Sequence, residues 1–362
     1  MMHGTEHAGR IAVEGVEIPF MRLADGRLMC DFFMFQLFDS EEELAATLQR
    51  TRGLLWDAIG ATRAVRAGIT IRPNIYDIND AELKELIHAV RKLKEMGIYD
   101  DFVRRHYAIM TDGSQIHTFP TFLPWHRVFI LEFEQALQIV SPGLRLPFWN
   151  WAADAAAGKD APLWQTEGPR TFFGGDGDST DQRVTTGPCA DWRILTQTNS
   201  QWLTYRSGHG LLRALGRGEP TLPQPDQLRR VLNVTPYDCP PWYMTSDISR
   251  SFRNALEGWG PAAPQLHNQV HVWIGGVMKT EPSPNDPVFF LHHAFVDYVW
   301  ATWQKLHPLE TYQPGRDGPP GQNIDDPMPH LRTPVTPRQT LDTRAMGYEY
   351  PDEPLSEMLP RL

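Results

Sequence analysis

The sequence predicts a mainly α-helical fold with a four-helix core and long loops, preceded by a small α+β unit. Three observations carry that expectation. Apolar residues recur at helical spacing from Leu83 to Leu137 and again from His267 to Trp303, the stretches between are rich in Gly, Pro and Asp, and short alternating segments fill residues 11–38.

In chain order, residues 11–18 and 28–35 read as two strands around Asp25-Gly26, a hairpin turn signal. Ser40 followed by Glu43 is a capping box, opening an amphipathic helix through about Ile59 on Leu44, Leu48, Leu55 and Trp56. Residues 1–64 thus form a strand, strand, helix module whose sheet is too small to stand alone. Asn79 or Asp80 caps the next helix, which carries Leu83, Leu86, Ile87, Val90 and Leu93 on one face and stops at Gly97. His88 falls among Lys84, Glu85 and Lys92 on the solvated face and is set aside. A second helix, roughly 99–110, turns His106 toward the core with Tyr99, Phe102 and Val103. His117 follows in a loop, and Leu123-Pro124-Trp125-His126-Arg127 opens a third helix with His126, Ile130, Phe133 and Leu137 inward.

Residues 141–256 read as turns and irregular segments, and the acidic run near Gly174 lacks the spaced ligands of a calcium loop. Past Pro308 the Pro, Gly and Asp content reads as extended surface wrapping or partial disorder. The main domain is expected to span 65–350, with a tail at 351–362.

Residues 257–303 carry the strongest chemical signal. On a helix, His267 and His271 leave the same face one turn apart and can converge on one ion. Gly275-Gly276 stops that helix, and Asp286-Pro287 starts another, placing His292 and His293 about two turns in. A lone histidine on an apolar face is more often a hydrogen-bonded core residue. Here two sets, His106/His117/His126 and the downstream group, favour metal over that simpler account. Neither set has the Glu-x-x-His spacing of carboxylate-bridged diiron sites, so three imidazoles per ion leave zinc or copper.

Net charge is −10 with Lys and Arg scattered, which argues against a nucleic-acid partner. Cys30, Cys189 and Cys239 are far apart, suggesting neither a disulfide framework nor a thiolate metal site. The first residues lack a basic, then apolar, leader pattern, and no apolar run approaches the ~18 residues of a membrane span. A soluble, cytoplasmic protein with no membrane partner is expected.

The runs Phe-Leu-Pro-Trp-His126-Arg, His267-Asn-Gln-Val-His271-Val-Trp-Ile-Gly-Gly and Asn-Asp-Pro-Val-Phe-Phe-Leu-His292-His293 resemble type-3 copper proteins, bacterial tyrosinases above all. The likeness extends over roughly 65–350, including Pro-Phe-Trp-Asn-Trp at 147–151 and the closing Tyr348-Glu-Tyr350. It implies two copper ions, one on His106, His117 and His126, the other on His267, His271 and His293. Periodicity does not choose between His292 and His293, since both sides of that helix are apolar. The choice of His293 rests on the family's spacing of 22 after the second ligand, leaving His292 a supporting role. Eleven positions separate His106 from His117, fewer than bacterial relatives tend to have, and no Cys lies near His117 to form the thioether of plant and fungal members.

The implied activity uses dioxygen to hydroxylate phenols ortho to their hydroxyl, or to oxidise o-diphenols or o-aminophenols to o-quinones or quinone imines. Two alternatives are an o-aminophenol or catechol oxidase of secondary metabolism without monophenol activity, and a dioxygen carrier of the haemocyanin kind. Glu257 and Asn268 match positions where tyrosinases hold a proton-accepting water; Phe289 and Glu281 match pocket positions. Met21-Arg-Leu-Ala-Asp-Gly and Phe-Phe-Met-Phe-Gln-Leu-Phe resemble the caddie protein that accompanies Streptomyces-type tyrosinases, here fused to the enzyme, so no separate caddie is expected. That likeness implies Phe35 as a plug for the copper pocket and Met21, Met29, Cys30 and Met34 as a soft relay for cuprous ion.

Overall fold

The structure, a computed structural model, describes residues 7–13, 16–23, 25–29, 37–46, 68–167, 170–197, 203–262, 264–352 and 355. Its N-terminal part is a four-stranded antiparallel meander, β1 (His7–Val13), β2 (Val16–Arg22), β3 (Leu28–Met29) and β4 (Leu37–Phe38), in that order. Pairing of Val13 with Val16 splits residues 11–18 into two strands where the sequence suggested one. Gly15, between them in sequence, is a residue type that favours turns, and alternation alone reads past it. The Asp25-Gly26 turn forms as expected: Gly26 sits at φ +89° and its N–H donates to Leu23 O at 2.9 Å. At the next junction Ser40 Oγ accepts from Glu43 N at 3.1 Å, while Glu43 reaches back to Asp39 N at 2.9 Å, opening the helical residues 41–46. Phe20, Leu28, Phe38 and Leu44 form a small core of their own. Leu48, Leu55, Trp56 and the boundary expected at 64–65 lie outside the described residues.

Among the described residues, seven α-helices build the main core. Asn79 caps α1 (Asp80–Glu95) by accepting from Ala81 N and Glu82 N, and Gly97, at φ +73°, turns the chain directly into α2 (Ile98–Thr111). His88 is exposed on α1. The long helices α3 (Phe122–Val140) and α7 (Val288–Leu306) are buried along most of their length and pack together, Phe133 stacking on Phe290 at 3.5 Å between ring centres. Between them in sequence come α4 (Pro225–Leu232), α5 (Phe252–Glu257), α6 (Leu266–Ile274) and the hairpin β6 (Arg193–Gln197) and β7 (Leu203–Gly210). Residues 141–256 therefore hold more regular structure than expected; helices of eight and six residues are too short to show a period.

Gly275, at φ +68°, ends α6; a side chain at Gly276 would meet Leu212 O at 2.0 Å, so both glycines are required. Asp286 starts α7 by accepting from Val288 N at 3.0 Å, its carboxylate also paired with the fully buried Arg213.

The described residues beyond Pro308 are anchored rather than loose. Tyr312, Ile324, Met328, Tyr348 and Tyr350 are buried, and β8 (Tyr348–Glu349) runs parallel to β5 (Thr70–Ile71). Asp297 on α7 accepts from Tyr348 Oη at 2.6 Å and Tyr350 Oη at 2.7 Å, pairs with Arg127 of α3, and meets Arg72 Nη1 at 3.3 Å. Arg72 continues to Glu134 on α3 at 2.9 Å. This buried network locks α3 to α7 and both to the closing segment, an arrangement that composition alone conceals.

Candidate metal centre

Each histidine singled out in the sequence is placed by a different local device. His106 stands in the middle of α2, His126 one turn into α3, His267 and His271 one turn apart on α6, His292 and His293 side by side on α7, and His117 on the loop between α2 and α3. They gather into two clusters, His106/His117/His126 and His267/His271/His292/His293, whose ligand-capable atoms lie within 4.8 Å of one another. Ring centres are 4.9–5.7 Å apart in the first cluster. The clusters abut where His126 stacks on His293 at 4.2 Å.

Backbone carbonyls orient most of these rings. Nδ1 of His106 bonds Glu281 O at 2.8 Å, that of His126 bonds Phe122 O at 2.8 Å, and that of His271 bonds Met278 O at 2.7 Å. His267 Nδ1 lies 3.0 Å from Asn268 Oδ1 and 3.3 Å from Glu257 O. A carbonyl takes the Nδ1 proton, which leaves Nε2 as a bare lone pair. In all four histidines that Nε2 is buried without a partner. Burial holds every one of the seven imidazoles below its ordinary pKa of 6.5, His106 to about 3 and His271 to about 4, so the rings are neutral. Unmatched buried acceptors would cost about 1–3 kcal/mol each. Converging neutral lone pairs with their protons held behind them are what a soft or borderline cation requires, and the residues fit a pair of copper ions.

His292 and His293 are both buried, with no hydrogen-bond partner at either nitrogen. His293 faces His126 and Phe289, each at 4.2 Å, whereas His292 stacks on His267 at 5.1 Å and has Trp151 behind it.

A cavity of about 570 Å³ opens onto His106, His117, His267 and His271, with Glu257, Asn268 and Glu281 also on its wall. The Glu257 carboxylate is almost fully buried; Oε1 accepts from Thr118 N at 2.6 Å and Oε2 from Arg253 Nη1 at 3.2 Å. Burial raises its pKa against the opposing pull of Arg253. Glu281 is exposed at the rim, and its backbone oxygen, not its side chain, holds His106. Phe289 packs 5.0 Å from His106, but it is not among the residues lining this cavity. Trp259, Val272 and Lys279 line the cavity and were not read from the sequence. Val272 had a signal, its place beside His271; Trp259 and Lys279 had none. Phe35, Cys30 and Met34 lie outside the described residues, as do the side chains of Met21 and Met29. Cys189 and Cys239 are free, buried and absent from the cavity wall.

The model of the common central domain of tyrosinase matches residues 96–306. The chain belongs to the tyrosinase family. A tyrosinase of Streptomyces glaucescens is 42% identical over 269 residues, 72% of this chain and 92% of that one. Grixazone synthase of Streptomyces griseus is 40% identical over 302 residues, 75% of this chain and 94% of that one. A polyphenol oxidase from Thermothelomyces thermophila shares the fold, with TM-score 0.61 at 22% identity, over 84% of this chain and 98% of that one. As a tyrosinase-type enzyme the protein is a copper oxidoreductase acting on phenols with dioxygen, and the two histidine clusters are its dicopper site. Among the described residues no helix is long and apolar enough to cross a membrane.

Proposed function

We propose that His106, His117 and His126 hold one copper and His267, His271 and His293 the other, and that the enzyme oxidises monophenols as well as o-diphenols and o-aminophenols. One observation carries this reading: His106 and His117 of one cluster and His267 and His271 of the other line a single cavity that also has a buried carboxylate, Glu257, and Asn268 on its wall. When bound, the copper pair supplies the redox chemistry with dioxygen. The chain's own residues bind the ring and handle its proton. A phenol has an ordinary pKa near 10, so docking as phenolate needs a base. Glu257, with its pKa raised and Asn268 alongside, serves through a water held between them. Phe289 keeps the ligand rings in place by packing on His106 and His293. At the rim the Glu281 carboxylate favours substrates that carry an amine.

Dioxygen uptake across a panel of phenols, catechols and aminophenols tests the substrate range. On that panel Glu257→Gln should lower kcat/KM for a monophenol by about a hundredfold and for an o-diphenol by much less, because the diphenol gives up its proton more readily. Equal losses on both would leave Glu257 a role in holding Thr118 alone.

The same proposal extends to the fused module at 1–64. Phe35 occupies the cavity as an unreactive plug, while Met21, Met29, Cys30 and Met34 pass cuprous ion inward. A tether gives such a plug an effective concentration in roughly the millimolar range, so weak docking is well populated. Cutting the module from copper-loaded protein at an engineered protease site should raise turnover or lower KM; kinetics unchanged after clean removal would exclude the plug. The two free cysteines fit a reducing compartment, and we place the protein in the cytoplasm, which fractionation checks.

A further inference from the structure

His117 differs from the other first-cluster ligands in how it is held. Both its neighbours, His106 and His126, fix Nδ1 on a backbone carbonyl at 2.8 Å, but the Nδ1 of His117 is buried with no partner. It also rides on a loop rather than a helix, and no cysteine lies near it in sequence. With no hydrogen bond on Nδ1, its orientation rests on packing against His106, Phe122 and His126 and on the backbone beside it. Thr118 has φ +70°, a left-handed conformation that a β-branched residue adopts only when its surroundings impose it.

Those surroundings are Arg253 and Glu257 on α5. Glu257 Oε1 takes the Thr118 N–H at 2.6 Å, and Arg253 Nη1 donates to the Thr118 carbonyl at 3.1 Å, so both backbone polar groups of that residue are gripped. Arg253 and Glu257 join each other at 3.2 Å. Behind them Asp238 holds Arg253 Nε at 2.8 Å and Nη2 at 2.7 Å, and itself accepts from Ser251 Oγ at 2.6 Å. Elsewhere the loop is held by Asp112 on His330, by Gln322 on Gln115 O and Thr121, by Tyr237 on Pro120 O and by Phe119 packing on Tyr243, none of which touches His117 or Thr118.

We infer that Arg253 is a positioning residue for copper: with Glu257 it clamps Thr118 in its left-handed conformation and thereby aims His117, the noncovalent counterpart of a cross-link to that ring. The inference rests on the assignment of His117 as a ligand. Arg253→Lys keeps a positive charge against Asp238 but cannot reach Asp238, Glu257 and the Thr118 carbonyl together. Glu257→Ala removes the other jaw and leaves the Arg253–Asp238 pair intact, so it serves if the lysine variant does not fold.

The measurement is stepwise transfer of copper from the loaded protein to a cuprous chelator. In either variant one of the two ions should leave about tenfold faster while the other keeps its wild-type rate, as expected when a group supporting a ligand is lost. Thr118→Gly, which takes a positive φ freely, should restore part of the slow release in the Arg253→Lys background. Unchanged release, or equal acceleration of both ions without rescue by glycine, would overturn the clamp. His117→Ala serves as a separate control: retention of two ions would refute the ligand assignment itself.

Discussion

Replacing His293 by alanine is expected to leave about one copper ion per chain and to lower phenol oxidation by about 10³-fold or more, the several kcal/mol that a metal ion contributes to such a step. His88→Ala, on the exposed face of α1, should keep both ions and full activity. The informative third variant is His292→Ala. His292 lies within the same 4.8 Å group as His293, but it stacks on His267 and backs onto Trp151, whereas His293 faces the other cluster through His126. His292→Ala should therefore retain two ions with weakened hold on one. Metal analysis decides the case: equal copper in the His293 and His88 variants would sink the assignment, and a one-ion His292 variant beside a two-ion His293 variant would exchange their roles.

Asp297→Ala is expected to destabilise the enzyme by about 3–5 kcal/mol, the range for breaking a buried ion pair from one side. The loss strands Arg127, whose other acceptors are Gln304 Oε1 at 3.0 Å and Thr340 O at 2.8 Å, and leaves two buried tyrosine hydroxyls without their acceptor. Arg72 still has Glu134, so the network is not dissolved entirely. Asp297→Asn keeps the shape and one acceptor oxygen and should cost less. Denaturant midpoints at constant m-value measure both, and a cost below about 1 kcal/mol for the alanine variant would place the support of α3 and α7 elsewhere.

What the sequence made legible was local. The His267/His271 pair could be read because four-residue spacing on a helix is a geometric statement, and the glycine and Asp-Pro punctuation around it set the helix ends to within a residue or two. His292 and His293 could not be told apart because α7 is buried on all sides, so no face is marked by polarity. The groups that orient the rings were invisible for a different reason. His106 is held by a carbonyl 175 residues away, and a carbonyl has no sequence signature. Arg253 reads as an ordinary helical charge until Asp238, Thr118 and Glu257 are seen to converge on it. The closing segment misled because Pro and Gly content reports the lack of regular structure, not the lack of anchors; Tyr348 and Tyr350 supply those.

The wall of the cavity follows a division between main chain and side chain. Met278 and Glu281 both line it, yet each holds a metal-binding ring through its peptide oxygen, His271 and His106 respectively. Their side chains are free of that duty. Selection, or an engineer, can thus exchange what a substrate meets at these two positions while the inner coordination stays put. One scaffold can therefore change its diet without relearning how to bind copper.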